Sequence, residues 1–253
     1  MRRGISICAM AILATCAYGQ GKRNTFSFTP QVGVSLGKQN GFTAYSLGQN
    51  GLGSAVTNEL NYQPDARYKA GFTAGLEVSY QLTNQWAISL GAFYTEAGSK
   101  YKDFDEIFSA QQSEGNQSAT TDEGLLHGYS YTNQHNSFGY VTIPLMANYY
   151  VVKDFAIKAG LEIGIITTAK TEWDQTELTY NPLTNVTTFG TPTTHEMDLK
   201  NEAKTTTMAI PVGASYEYEH VVLDARYHFP LTKSMKNNDT HNRLFTFTVG
   251  YRF

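Results

Sequence analysis

Cysteine is nearly missing from this chain of 253 residues: the two present, Cys8 and Cys16, lie close to the start. From Gln20 onward no thiol occurs, which excludes a disulfide scaffold or a Cys-ligated metal in that stretch. Charge is scarce too. Asp, Glu, Lys and Arg make up 16 % of the residues, against roughly 25 % in an average soluble domain. The net charge is −3, so no basic surplus exists to neutralise phosphates, and nucleic-acid binding is not expected. No apolar run approaches the roughly 18 residues of a membrane-spanning helix. A membrane β-barrel stays open, because its alternating strands average to neutral hydropathy.

What the chain has instead is 17 Tyr, 14 Phe and 22 Gly. That mixture argues against disorder, a coiled coil or a helical bundle, and for a β protein. The length suits one large barrel. At the start, Arg2 and Arg3 precede an apolar stretch from Ile5 to Ala17, and Ala17-Tyr18-Gly19 forms a small-x-small site. This pattern predicts a cleaved signal peptide over 1–19 and one domain over 20–253.

Strand periodicity recurs near 25–37, 68–82, 86–98, 138–151, 155–168, 205–218, 221–232 and 243–253. In the second segment Tyr68, Phe72, Leu76, Val78 and Tyr80 alternate with Lys69, Thr73, Glu77 and Ser79. In the last, Phe245, Phe247, Val249, Tyr251 and Phe253 alternate with Thr246, Thr248, Gly250 and Arg252. Short turns (Thr83-Asn84-Gln85, Val152-Lys153-Asp154, Glu219-His220) alternate with long polar stretches at 38–67, 99–137, 169–204 and 233–242. The long stretches read as loops. Short turns on one side and long loops on the other are the habit of outer-membrane barrels. Pro144 and Pro211, in the similar runs Ile143-Pro144-Leu145 and Ile210-Pro211-Val212, cannot donate to a ladder and predict bulges.

Periodicity does not say which face turns outward. The apolar face carries too many large rings to fit inside eight strands, whose interior holds only modest side chains. Tyr80, Trp86, Tyr149, Phe155, Tyr218 and Tyr251 fall near the short turns on that face and predict a girdle at one bilayer interface. The strand charges lie mainly on the small-residue face, which predicts a lumen network of Lys69, Lys158, Arg226 and Arg252 with Glu77, Glu162, Glu217 and Asp224. Glu96 and Arg243 are exceptions near loop ends. A lipid-facing Arg or Lys at midplane costs about 2–4 kcal/mol, so this sorting is expected. Equal numbers of each sign suit ion pairs that fill the lumen.

Tyr140-Val141-Thr142-Ile143-Pro144-Leu145 resembles the Tyr-x-x-Ile-Pro-Leu stretch of the Bacteroidota outer-membrane β-barrel family, also called porin-family or PorT-like. Leu223-Asp224-Ala225-Arg226-Tyr227, followed by Pro230-Leu231, resembles that family's Leu-Asp-x-Arg-Tyr…Gly-Leu stretch, with Pro230 in place of Gly. The end of the chain, Tyr251 and Phe253 with the alternating residues before them, resembles the signal read by the barrel-assembly machinery. The resemblance implies an all-β, eight-stranded antiparallel up-and-down transmembrane barrel in a bacterial outer membrane. It implies outer-membrane lipid and the assembly machinery as partners, and specifies activity poorly.

For chemistry, His135-Asn136-Ser137 has a His-x-Ser spacing where a long loop meets a strand. No acid is expected to face it, since Glu162 points inward, and no residue is expected to be catalytic. His127, His195 and His241 are scattered. Asp103, Asp105 and Glu106, and Asp122 with Glu123, read as solvated loop charge rather than a calcium site. No metal or cofactor is expected. Phe42, Tyr45, Tyr62, Phe104, Phe108, Tyr129, Tyr131 and Trp173 stock the loops, either as a recognition surface or as a cap over the barrel. The expected role is a non-enzymatic anchor with an extracellular interaction surface for adhesion, envelope integrity or secretion-system assembly. Alternatives are a narrow channel for ions or small solutes, then a lipid-modifying enzyme.

Overall fold

The computed structural model describes residues 24–40, 65–107, 125–236 and 240–253. The expected signal peptide, Phe42, Tyr45, Tyr62, Phe108, Asp122 and Glu123 lie outside these residues. Eight strands close a ring: β1 (Phe26–Asn40), β2 (Ala66–Gln81), β3 (Trp86–Tyr101), β5 (Leu126–Val152), β6 (Phe155–Asn181), β9 (Thr206–Tyr218), β10 (Val221–Pro230) and β11 (His241–Tyr251). Each pairs antiparallel with its neighbours, and β11 returns to β1 with Gln31 facing Gly250. Closure leaves no ring strand with a free edge. Phe253 exchanges two backbone hydrogen bonds with Phe28 and extends the seam.

The alternation decides which way each strand faces. Outward side chains include Val32, Val34, Phe72, Leu76, Ile88, Leu90, Leu145, Leu161 and Leu223, all exposed. Inward ones are small or polar, such as Thr29, Ser35, Thr73, Ser89, Thr95, Thr142 and Ser215. A chain that exposes its leucines and buries its threonines is built for hydrocarbon outside.

Among the described residues, two long stretches read as loops are largely sheet. β5 and β6 each run 27 residues, well beyond the roughly 9–11 that cross a bilayer. Their far halves, 126–137 and 168–181, rise past the ring. There β4 (Phe104–Ile107) pairs with β5, and β7 (Val186–Phe189) and β8 (Thr193–Asp198) pair with β6. The result is a projecting sheet with β4 at one edge and β7 and β8 at the other. This sheet buries small and polar residues, among them Ser130, Asn136, Thr171 and Thr176, so the sequence loses its apolar–polar alternation there while the backbone continues to pair.

The prolines do not make bulges. Pro144 faces Glu162 on β6 in unbroken register, and Pro211 faces His228 on β10 likewise. Each instead stands at a gap in its other ladder: β3–β5 skips from Leu90–Leu145 to Phe93–Thr142, and β6–β9 from Ala159–Val212 to Glu162–Ala209. A missing N–H interrupts a ladder without inserting a residue. Register does shift elsewhere, between Tyr68 and Thr73 on β2, and on β5 between Thr132 and His135 and between Gly139 and Tyr140.

Candidate functional site

The lumen is filled in layers. Nearest the short turns, Arg252 donates to Glu217 at 2.5 Å and to the Tyr150 hydroxyl at 3.2 Å. Above lies a closed ring of four charges. Lys158 Nζ donates to Glu77 Oε1 and Asp224 Oδ2, both at 2.8 Å. Arg226 donates through Nε to Asp224 Oδ1 at 2.6 Å and through Nη2 to Glu77 Oε2 at 2.6 Å. All four side chains are at most 5 % exposed. Buried charges persist only when paired and hydrogen-bonded, and here each cation meets both carboxylates. The Arg226 guanidinium also lies 5.6 Å from the centre of the Phe93 ring. Phe93 points inward because Gly75 and Gly91 make room: a Cβ on either would stand 2.6 or 2.5 Å from ring carbons.

One level higher, His228 Nδ1 lies 2.9 Å from Glu162 Oε1 and its Nε2 lies 3.1 Å from Thr246 Oγ1. The long-loop end is closed by an apolar cluster: Phe138, Tyr140, Ile166 and Ala169 from the wall, Leu199 and Ala203 from the β8–β9 connection, and Met235 from the β10–β11 connection. Backbone bonds hold this plug, with Leu199 N donating to Ala169 O and Lys204 N to Ser234 O, both at 2.9 Å. A cavity of about 50 Å³ lined by Tyr140, Glu162 and His228 remains beside it, room for a few waters.

Lys69 does not join the charge network. The register shift on β2 carries it to Glu96, 3.7 Å away, and to the Ser137 hydroxyl. Both have the outward parity of Leu90 and Val141. Sequence reasoning also missed His228, which continues the inward series Asp224-x-Arg226-x-His228.

Around the short turns, tilted ring pairs recur: Phe26 with Tyr80 at 4.7 Å between centres, Trp86 with Tyr149 at 4.9 Å and Tyr251 with Phe253 at 4.7 Å. Phe155 faces Tyr216 across β6–β9, and Tyr218 faces Val221 at the next turn. A second belt, which the sequence reading did not foresee, lies toward the long loops: Phe72–Tyr94 at 5.3 Å, Tyr227–Phe245 at 4.5 Å and Tyr68–Phe245 at 6.1 Å. From Tyr80 to Phe72 is about 27 Å of strand, which a tilt of about 35–45° reduces to a height of about 19–22 Å, a little under an apolar band about 25 Å tall.

The family model of the outer membrane protein beta-barrel domain matches residues 18–236. The chain belongs to that family. No curated relative matches the sequence. Among solved structures, it is similar to Ail, the attachment invasion locus protein of Yersinia pestis, solved with the heparin analogue sucrose octasulfate, at 14 % identity and TM-score 0.39, over 90 % of this chain and 99 % of that one. It is similar to Neisserial surface protein A at 12 % identity and TM-score 0.34, over 89 % and 97 %. The outer-membrane protease OmpT of Escherichia coli matches at 12 % identity and TM-score 0.32, over 90 % and 96 %.

In an outer-membrane barrel the two aromatic belts mark the bilayer interfaces, and the projecting sheet stands clear of the lipid. The structure corrects the reading of His135 and Ser137 on one point: an acid does face them. Glu172 pairs with His135 in register, and its Oε2 lies 3.5 Å from His135 Nε2. The other ring nitrogen lies 2.9 Å from the Asn133 carbonyl, while the Ser137 hydroxyl meets Lys69. With both nitrogens engaged, the imidazole is not placed to take a proton from Ser137. Of the loop aromatics, Phe104 stacks on Tyr131 at 4.9 Å and Trp173 on His195 at 5.5 Å. They brace the projecting sheet; the barrel's plug is aliphatic, drawn from Leu199, Ala203 and Met235.

Proposed function

We propose that this outer-membrane barrel is a non-enzymatic anchor whose projecting sheet and long-loop end form an extracellular interaction surface. The observation that carries the reading is the layered filling of the lumen by described residues: the ion ring, the His228–Glu162 pair and the aliphatic plug lie one above another across it. The projecting sheet supplies area for contact, with Leu183 at the tip of the β6–β7 hairpin 88 % exposed and Val186 and Phe189 also exposed. Export through a signal peptide over 1–19, insertion guided by Tyr251 and Phe253, and membership of the Bacteroidota, PorT-like branch belong to the same reading. They rest on the residues quoted above.

The test is single-channel recording of refolded protein in a planar bilayer, after a gel shift between unboiled and boiled samples shows a folded barrel. The expected record is silent. Steady, reproducible openings would replace the anchor with a narrow channel. Lipid A from overproducing cells is expected unaltered; a shifted mass would restore the enzyme.

A further inference from the structure

On one side the projecting sheet ends in a strand whose outer edge meets nothing among the described residues. β7 pairs with β6 alone, and all four of its residues, Val186-Thr187-Thr188-Phe189, are exposed. The ladder shows which backbone groups are spare. Gly190 N donates to Glu177 O at 2.8 Å, in the register that sets Phe189 opposite Leu178. Bonded and non-bonded pairs alternate along an antiparallel ladder. Val186 and Thr188 therefore bond to β6, while Thr187 and Phe189 turn their N–H and C=O groups to the open edge. Folded proteins commonly blunt such an edge with lysine, proline or a covering element. β7 carries neither residue, and its Val, Thr and Phe side chains suit a paired strand.

A second copy of the same strand completes this edge. Lay two β7 strands antiparallel about a two-fold axis through Thr188. Thr187 of each then faces Phe189 of the other, and both facing pairs exchange their spare N–H and C=O groups. Continuing that register brings the Leu183 tip of each hairpin near Thr193 of the other copy. The overlap runs from Pro182 to Thr194. From Leu178 to Thr194 the chain contains no Asp, Glu, Lys or Arg, so the overlap sets no like charges against each other. The next carboxylate, Glu196, lies beyond the other tip.

We propose that β7 pairs with β7 of a second copy in a facing membrane, joining two projecting sheets into one. This rests on reading the projecting sheet as an interaction surface, and it names the partner. The facing arrangement follows from strand direction. β6 rises from its short turn and β7 returns toward the membrane. A two-fold axis along the membrane normal would leave both β7 strands descending, hence not antiparallel. The axis must lie in the membrane plane, with one barrel on either side of it. A four-residue edge makes a weak single contact, and many such contacts between two surfaces add by avidity.

The experiment places the full mature chain in phosphatidylcholine vesicles and follows clustering by light scattering. Wild-type vesicles are expected to cluster with one another and not with protein-free vesicles. Thr188→Lys and Thr188→Glu each set like charges about 4.5–5.5 Å apart across the axis. Each is expected to slow clustering about tenfold while keeping the gel shift of a folded barrel. Vesicles bearing T188K mixed with vesicles bearing T188E are expected to cluster as fast as wild type, a rescue that requires Thr188 to meet its own copy. The proposal is overturned if wild-type vesicles stay dispersed, if both charge variants cluster as wild type does, or if the mixture is not rescued. Equal clustering with protein-free vesicles would also overturn it, by showing that Leu183 and Phe189 enter lipid. Dispersed vesicles from a barrel that is silent in the planar bilayer remove this pairing and leave the anchor in place. Channel openings together with Thr188-dependent clustering do the reverse.

Discussion

Within the bilayer, β5 and β6 belong to a ring with no free edge; beyond it, the same two strands belong to a sheet with two. In the ring each strand separates hydrocarbon from a packed polar lumen, so every second residue is constrained and an ionised group must find its partners inside. In the projecting sheet exposed residues such as Lys170 and Glu177 alternate loosely with buried ones that are themselves polar, such as Asn136 and Thr176. Ion pairs there are exposed, as with Lys170 and Glu196 at 2.5 Å, and such pairs contribute little to stability. One polypeptide segment thus follows two sets of rules, and the change falls near the Gly139–Tyr140 register shift, where the apolar alternation stops.

That contrast can be broken first at the ion ring. Asp224→Ala leaves Lys158 and Arg226 with one carboxylate between them, and is expected to cost about 3–5 kcal/mol. Urea unfolding of the refolded barrel followed by tryptophan emission would read the loss; an unchanged midpoint would show that the ring does not hold the lumen together. Asp174→Ala, its counterpart in the projecting sheet, is expected to leave that midpoint in place.

A pair of leucines sharpens the same comparison. Leu145 and Leu183 are both exposed, at 52 % and 88 %, yet one faces lipid near midplane and the other faces water. Leu145→Arg is expected to cost about 2–4 kcal/mol in lipid vesicles, while Leu183→Arg should be neutral. Equal costs would place the bilayer wrongly. The smallest effect concerns acid. Hydrogen bonds from Asn133 and Thr194 hold the Asp174 carboxyl below its ordinary value of 3.8. A depressed carboxylate stabilises above its unfolded pKa, and that contribution fades as pH falls through 3.8 toward the folded value. Amide exchange in β8 should therefore quicken in that window in wild type more than in Asp174→Asn.

The ring was legible in the sequence because lipid and lumen impose opposite chemistry on alternate residues. The ends of β1, β3, β9 and β10 fall within a few residues of the expected segments for that reason. Where alternation carried no signal, reading failed. The far halves of β5 and β6 carry polar residues on both faces, half-buried Thr132 and Asp174 beside buried Asn136 and Thr176, so they looked like loop. Register shifts hid the rest: the one on β2 turned Lys69 outward, and those on β5 brought Glu172 opposite His135. His228 was within reach, since it shares parity with Asp224 and Arg226. It was passed over because only Asp, Glu, Lys and Arg were sorted by face.

The plug has one more consequence. Ala203 and Met235 pair as an isolated antiparallel bridge, and they sit just beyond the last rung of the β9–β10 ladder, Ala209 with Pro230. The hairpin is therefore fastened at both ends, by the Glu219-His220 turn and by this bridge. Fraying starts at loose strand ends, and here there is none to start from. Fastened at both ends, this short hairpin is expected to resist fraying from its long-loop end.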